Sequence, residues 1–208
     1  MGLRVKQGYG FFEHYRRHIT SIVLFFGAII IFLTAPGWQD HGSVDVAFDI
    51  AGALLIFAGI LGRLWSTMYI GGKKNASLVT KGPYSMCRNP LYFFSFVAGL
   101  GACLEFENIL LVGLFISFFW FYYHRVITSE EKRLQSFFGE VFKAYKASTP
   151  MFVPNIFKYD SGDGPTIIPK LLWKNFLDAS IFLIFIPLAY VVRRLQESGH
   201  LATILRIP

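Results

Sequence analysis

With 54% hydrophobic and only 16% charged residues among 208, this chain is too apolar for a soluble domain, where about a quarter of residues are charged. The formal net charge is +7, but the lysines and arginines flank apolar runs, which records membrane orientation and contact with anionic lipid and excludes nucleic acid as the partner class. The two cysteines, Cys87 in a polar stretch and Cys103 in an apolar run, imply no disulfide framework, and no Cys/His cluster has metal-ligand spacing.

In chain order, residues 1–18 are basic, with Arg4, Lys6, Arg16 and Arg17, and lack the ordered regions of a removable signal peptide. An apolar run over 19–35 ends at Pro36-Gly37 and predicts a first span. Val46–Leu64 is the second, with Asp45 and Asp49 at its start and Gly52, Gly59 and Gly62 spaced for close helix packing. A polar stretch follows from Arg63 to Pro90. Its Asn75-Ala76-Ser77 triplet is read as a chance match to a glycosylation sequon. Leu91–Leu104 is short for a span, Glu105-Phe106-Glu107-Asn108 makes an acidic turn, and Ile109–Tyr123 is apolar again, so the pair predicts a helical hairpin. The fourth helix is expected to run on past the membrane through Arg125–Phe138 and to end at Gly139. Residues 155–175 read as a linker and Phe176–Val192 as a fifth span.

The expected fold is therefore all-α: a polytopic membrane helical protein with about five transmembrane helices. Three regions are expected, an N-terminal two-helix region over 1–62, a core over 63–155, and a linker with a C-terminal helix over 156–208. Lys and Arg counts of 4, 5 and 8 in the N-terminus, the Arg63–Pro90 stretch and the Arg125–Lys174 stretch place those regions in the cytoplasm. Arg193, Arg194 and Arg206 after the fifth run disagree with that orientation. The setting is an inner membrane in a bacterium or the endoplasmic reticulum in a eukaryote.

The polar chemistry gathers at Lys81–Tyr92. Gly82-Pro83 breaks the preceding structure, Asn89 stands where a helix N-cap would, and Pro90 suits the first helical position. A helix start offers free N–H groups and partial positive charge to an anion such as a carboxylate. An antiparallel hairpin returns Arg88-Asn89-Pro90 to the level of His124-Arg125. At about 1.5 Å per residue, Glu130 and Glu131 lie on the order of 10 Å beyond Tyr123, at the same face. Taken singly, Arg88 also fits an interfacial anchor, Tyr84 and Tyr92 an aromatic belt, and Glu130 and Glu131 a solvated helix face.

In order along the chain, Gly82-Pro83-Tyr84, Arg88-Asn89-Pro90-Leu91-Tyr92, Glu130-Glu131, and Phe138-Gly139 with Tyr145 and Pro154 resemble the core of the isoprenylcysteine carboxyl methyltransferase and phospholipid methyltransferase group. The resemblance covers residues 60–155. Asn89 replaces the family histidine, and Phe142 stands where a tyrosine is common. The resemblance implies an S-adenosylmethionine-dependent membrane methyltransferase with a cytoplasmic-face cofactor pocket. Gly82, Tyr84, Arg88, Asn89, Pro90, Tyr92, Glu130 and Glu131 would then bind the cofactor. Glu131 and Arg125 would serve the reaction, the first as acceptor of a proton from an amine, the second, with His124, facing an anionic substrate. The substrate implied is a lipid, or a prenylated or acylated small molecule, whose methyl acceptor is a carboxylate, phosphate or amine. Two alternatives stand beside this: an NADPH-dependent membrane reductase of the sterol-reductase type, and a non-catalytic membrane scaffold.

Overall fold

The computed structural model describes residues 27–36, 42–72, 77–165, 167–201 and 205–207. The basic N-terminus, the start of the first apolar run and most of the Asn75 triplet lie outside the described residues.

The fold is helical. Residues 27–33 are helical (α1) and are followed by α2 (Gly42–Ile70), the four-residue α3 (Pro83–Met86), α4 (Pro90–Leu104), α5 (Ile109–Ser148), α6 (Pro169–Ser180) and α7 (Phe185–Glu197). A 3₁₀ turn over Ile181–Ile184 joins α6 to α7, so helical structure is continuous from Pro169 to Glu197. The stretch read as a linker therefore holds the first turns of α6, which starts with Pro169 in the favoured first position. Two three-residue segments, Thr34–Pro36 (β1) and Leu205–Ile207 (β2), pair in parallel.

Among the described residues, three helices are long and apolar enough to cross a membrane: α2, α5 and the continuous 169–197 helix. At 15 residues α4 is shorter than the ~20 a span needs. Their outward faces carry Leu54, Phe57, Leu61, Trp120 and Phe121, each at least half exposed, as lipid-facing side chains should be.

The hairpin of α4 and α5 lies against α2 through α4. A Cβ on Gly59 would stand 2.6 Å from both Ala98 Cβ and the Phe94 carbonyl, and one on Gly101 would stand 2.6 Å from the Gly52 carbonyl. Backbones that close leave no room for a side chain, which is why the glycines of α2 face α4. Ile56 and Ile60 of α2, Ala102 of α4 and Ala179 of α6 form one buried cluster. Cys103, Phe106, Leu111, Ala189 and Val192 form a second toward the hairpin turn.

Two contacts fix the path of the last helix. Near its start, Asn175 is hydrogen-bonded to Thr67 of α2; near its end, Arg193 is paired with Asp49, Nη2 to Oδ1 at 2.7 Å, and with Glu107. Asn175 to Arg193 and Thr67 to Asp49 are each 18 residues, about 27 Å of helix. The last helix is thus antiparallel to α2 along its length. Arg193 is held by two carboxylates and Arg194 lies 3.6 Å from Glu197, so two of the three cations that conflicted with the orientation rule are partnered in the fold.

Candidate active site

The Gly82–Cys87 segment is locked before any ligand is considered. Gly82 has φ 63°, in the left-handed region, and its Cα faces the Tyr69 ring, so only glycine fits. Its N–H donates to the Asp160 carbonyl at 2.7 Å, Asn155 N–H donates to the Met86 carbonyl at 3.0 Å, and Asp160 N–H donates to Ser85 Oγ at 2.9 Å. Residues 155–160 thus form a strap across α3. Lys81 pairs with Asp160, and that charge-assisted bond holds the Asp160 carboxyl below its ordinary range.

Asn89 does occupy the N-cap position of α4, with Pro90 following, but its side chain does not cap the helix. Its Nδ2 donates instead to the Met151 carbonyl at 3.0 Å. Arg88 N–H donates to the Pro150 carbonyl at 2.9 Å, so two consecutive residues of the motif are sewn to the chain beyond α5.

The centre of the site is a buried ion pair. Arg88 Nε donates to Glu131 Oε1 at 2.8 Å, with side chains 7% and 4% exposed. Arg88 Nη1 also donates to the carbonyls of Lys146 at 2.7 Å and Thr149 at 2.8 Å. Lys146 Nζ stands 3.1 Å from Glu131 Oε2, an ion-pair distance without hydrogen-bond geometry, so Oε2 keeps an acceptor position open.

This convergence depends on Gly139. Residue 139 has φ 52° and ψ −124° within α5, conformations closed to most L-residues. The helix breaks there, as the sequence suggested, but does not stop: residues 140–148 form a second helical segment. An unbroken helix would separate residues 131 and 146 by about 22 Å, far beyond side-chain reach. The chain must therefore turn back at Gly139, which lays Tyr145, Lys146 and Thr149 beside the motif loop. Tyr145 Oη completes the clamp by donating to the Tyr84 carbonyl at 2.6 Å.

Tyr84 is fully inside this clamp, and burial raises its phenol well above the ordinary value. Its Oη is buried without a hydrogen-bond partner, an uncommon state for a hydroxyl that costs about 1–3 kcal/mol if nothing fills it. Burial likewise pushes the Cys87 thiol up to about 12, so it is a thiol and not a nucleophilic thiolate.

The other expected site residues divide. Gly82 and Pro90 are buried and shape the backbone. Glu130 is half-buried and within electrostatic reach of Tyr84. The Tyr92 ring lies 5.3 Å from that of Tyr123. Arg125 sits on an exposed part of α5, away from the buried face that carries Glu131. Sequence reasoning did not find Lys146, the carbonyls of Thr149 and Met151, or the Asp160 strap. Gly139 was the one signal for them, as a residue able to reverse the chain. A separate open cleft of about 290 Å³, lined by Asp45, Asp49, Glu107, Tyr190 and Arg193, lies at the opposite end of α2 and shares no residue with this site.

Against known proteins, the family description "Phospholipid methyltransferase" matches residues 48–141, which include the motif loop, the hairpin and Glu131. A nickel-cobalt-cadmium resistance protein of Alcaligenes xylosoxydans xylosoxydans is 32% identical over 192 residues, 92% of this chain and 87% of the relative. A cobalt-zinc-cadmium resistance protein of Cupriavidus metallidurans is 36% identical over 173 residues, 83% of this chain and 79% of the relative. A protein-S-isoprenylcysteine O-methyltransferase of Schizosaccharomyces pombe is 34% identical over 89 residues, 42% of this chain and 38% of the relative. No solved structure matches the chain.

Proposed function

We propose that this chain, whose residues 48–141 match the description of the phospholipid methyltransferase family, moves a methyl group from S-adenosylmethionine to a lipid or lipid-anchored acceptor at the cytoplasmic face of a membrane. The observation that carries the reading is the buried Arg88–Glu131 pair, with an open acceptor at Glu131 Oε2 and an unpartnered phenol at Tyr84. A charged, hydrogen-bonding amino-acid nucleoside fits that donor set. Arg88 Nη2 suits its carboxylate, Glu131 Oε2 its ammonium, and Tyr84 Oη a ring nitrogen or ribose hydroxyl. When bound, S-adenosylmethionine supplies a methyl carbon on a cationic sulfur.

The chain's own residues supply positioning. The strap, the Gly139 turn and the Tyr145 bond to Tyr84 hold the polar groups before ligand arrives, so little reorganisation remains at the moment of transfer. A carboxylate or phosphate acceptor needs no base. An amine acceptor must lose its proton, and Glu131 is the carboxylate at this site that would take it, in place of holding the cofactor's ammonium. The cytoplasmic assignment rests on the Lys and Arg counts at this end of the helices.

Titration of the purified full chain in detergent with S-adenosylmethionine and, separately, with NADPH tests the reading. Saturable binding of S-adenosylmethionine, and transfer of its labelled methyl to a membrane lipid extract, are expected. Binding of NADPH alone would establish the reductase alternative instead, and binding of neither would leave a scaffold.

Two relatives named for metal resistance match most of this chain, which gives the activity a setting: the methylated product is read as serving resistance to cobalt, nickel or cadmium. A Glu131→Gln strain that loses methyl transfer yet keeps full resistance would separate the two.

A further inference from the structure

A second polar cluster lies two turns inside the same end of the bundle. Arg63 of α2 points inward between α4 and α6, donating through Nη1 to Ser95 Oγ and through Nη2 to Asn175 Oδ1 at a long 3.4 Å. Both partners are neutral, and both are themselves oriented. Ser95 Oγ donates to the Leu91 carbonyl at 2.6 Å, so it must accept from Arg63. Asn175 Nδ2 donates to Thr67 Oγ1, whose proton goes to the Arg63 carbonyl at 2.8 Å, so Oδ1 must face the guanidinium. The network aims lone pairs at Arg63 without neutralising it.

The third donor, Arg63 Nε, is buried with no hydrogen-bond partner. Among the described residues Arg63 makes no ion pair, although Asp178, Tyr92 and Tyr123 lie within electrostatic reach. A guanidinium at this depth is costly unless an anion meets it, and arginines facing a helix interface mark binding sites more often than packing. An interfacial anchor would turn its head toward water; this one is turned between helices by two side chains. Arg63 is half-buried, so a ligand can reach it.

We propose that Arg63, set by Ser95 and Asn175, is an anion-recognition site that takes the carboxylate or phosphate of an amphiphile entering from the bilayer. Depth supports the assignment. Arg63 is seven residues from the end of α2, Ser95 five from the start of α4 and Asn175 six from the start of α6, each about 8–11 Å inside the bundle. With the bundle ends at the membrane face, as the proposed function has it, that is the level where a lipid headgroup meets its chain. The inference deepens the methyltransferase reading and rests on it for the role of the ligand as acceptor: it favours an acidic oxygen over an amine.

The test uses the full chain in neutral-lipid nanodiscs, with oleate, oleyl phosphate and oleyl alcohol as probes, and acetate and inorganic phosphate as tail-free controls. The wild-type protein is expected to bind oleate or oleyl phosphate at least tenfold more tightly than oleyl alcohol, with the tail-free anions weaker still. Arg63→Gln should erase that preference while the S-adenosylmethionine Kd stays unchanged. Asn175→Asp guards against misfolding of the first variant. It places a carboxylate inside the protein opposite Arg63, so it should hold or raise the Tm and also erase the preference. An acid preference that survives either substitution, or acetate that competes as well as oleate, overturns the site. Failure of the wild type to bind S-adenosylmethionine, with an Arg63-dependent acid preference intact, would instead sink the methyltransferase reading and leave the anion site standing.

Discussion

Glu131 and Lys146 lie fifteen residues apart in one helical stretch, yet Lys146 Nζ is 3.1 Å from Glu131 Oε2. The turn at Gly139 makes this contact, and with it a carboxylate that faces Arg88 on one oxygen and Lys146 on the other.

Gly139→Ala tests that turn. Nothing lies within 4 Å of the Cβ position, so the whole cost is the backbone conformation, on the order of 1–3 kcal/mol. The variant should lower the Tm and weaken S-adenosylmethionine binding together. An unchanged ligand affinity would show that the 140–148 segment does not build the site.

Glu131→Gln leaves Arg88 buried without its anion, which costs about 3–5 kcal/mol in chemical or thermal unfolding. Replacing both partners, Arg88→Met with Glu131→Leu, should recover most of that stability but not ligand binding. A double variant that binds S-adenosylmethionine normally would remove the pair from the site.

Tyr84→Phe separates binding from folding more cleanly. The phenol oxygen has no protein partner, so its loss should leave the Tm of the free protein unchanged or slightly higher. Affinity for S-adenosylmethionine should fall about tenfold, roughly 1.4 kcal/mol. A destabilised variant with unaltered affinity would mean that the hydroxyl serves the fold.

Glu105, in the turn after α4, should impose a pH dependence on stability. Burial, then the charge of Asp49, raise its carboxyl to about 7 against an offsetting pull from Arg193. Between its unfolded value near 4.5 and about 7, the folded protein holds a proton that the unfolded chain has released. Stability should therefore fall as pH rises through that window. Glu107 is raised in the same direction, so Glu105→Gln should reduce the slope, not abolish it. A thermal-unfolding series from pH 4.5 to 7.5 on both proteins reads this directly, and a slope identical in the variant would reassign it to other groups.

Much of this protein is dictated by local spacing. Apolar runs set the helices, because a bilayer demands internally satisfied backbone over a known thickness. Gly52 and Gly59 foretold close helix packing, since only a missing side chain permits it, while the fold decided that the partner is α4. The meeting of residues 82–92 with Glu131 followed from helical rise and an antiparallel hairpin.

Only the folded chain decided the rest. That Asn89 reaches Met151 instead of capping α4, that Arg88 is held by the carbonyls of Lys146 and Thr149, and that Asp160 pins Gly82 are contacts between side chains or loops and backbone more than 50 residues away. Backbone carbonyls carry no residue identity, so no pattern of residue types announces them. Arg63 belongs here as well: its sequence neighbours mark it as an orientation signal, and its isolation among neutral partners exists only where α2, α4 and α6 come together.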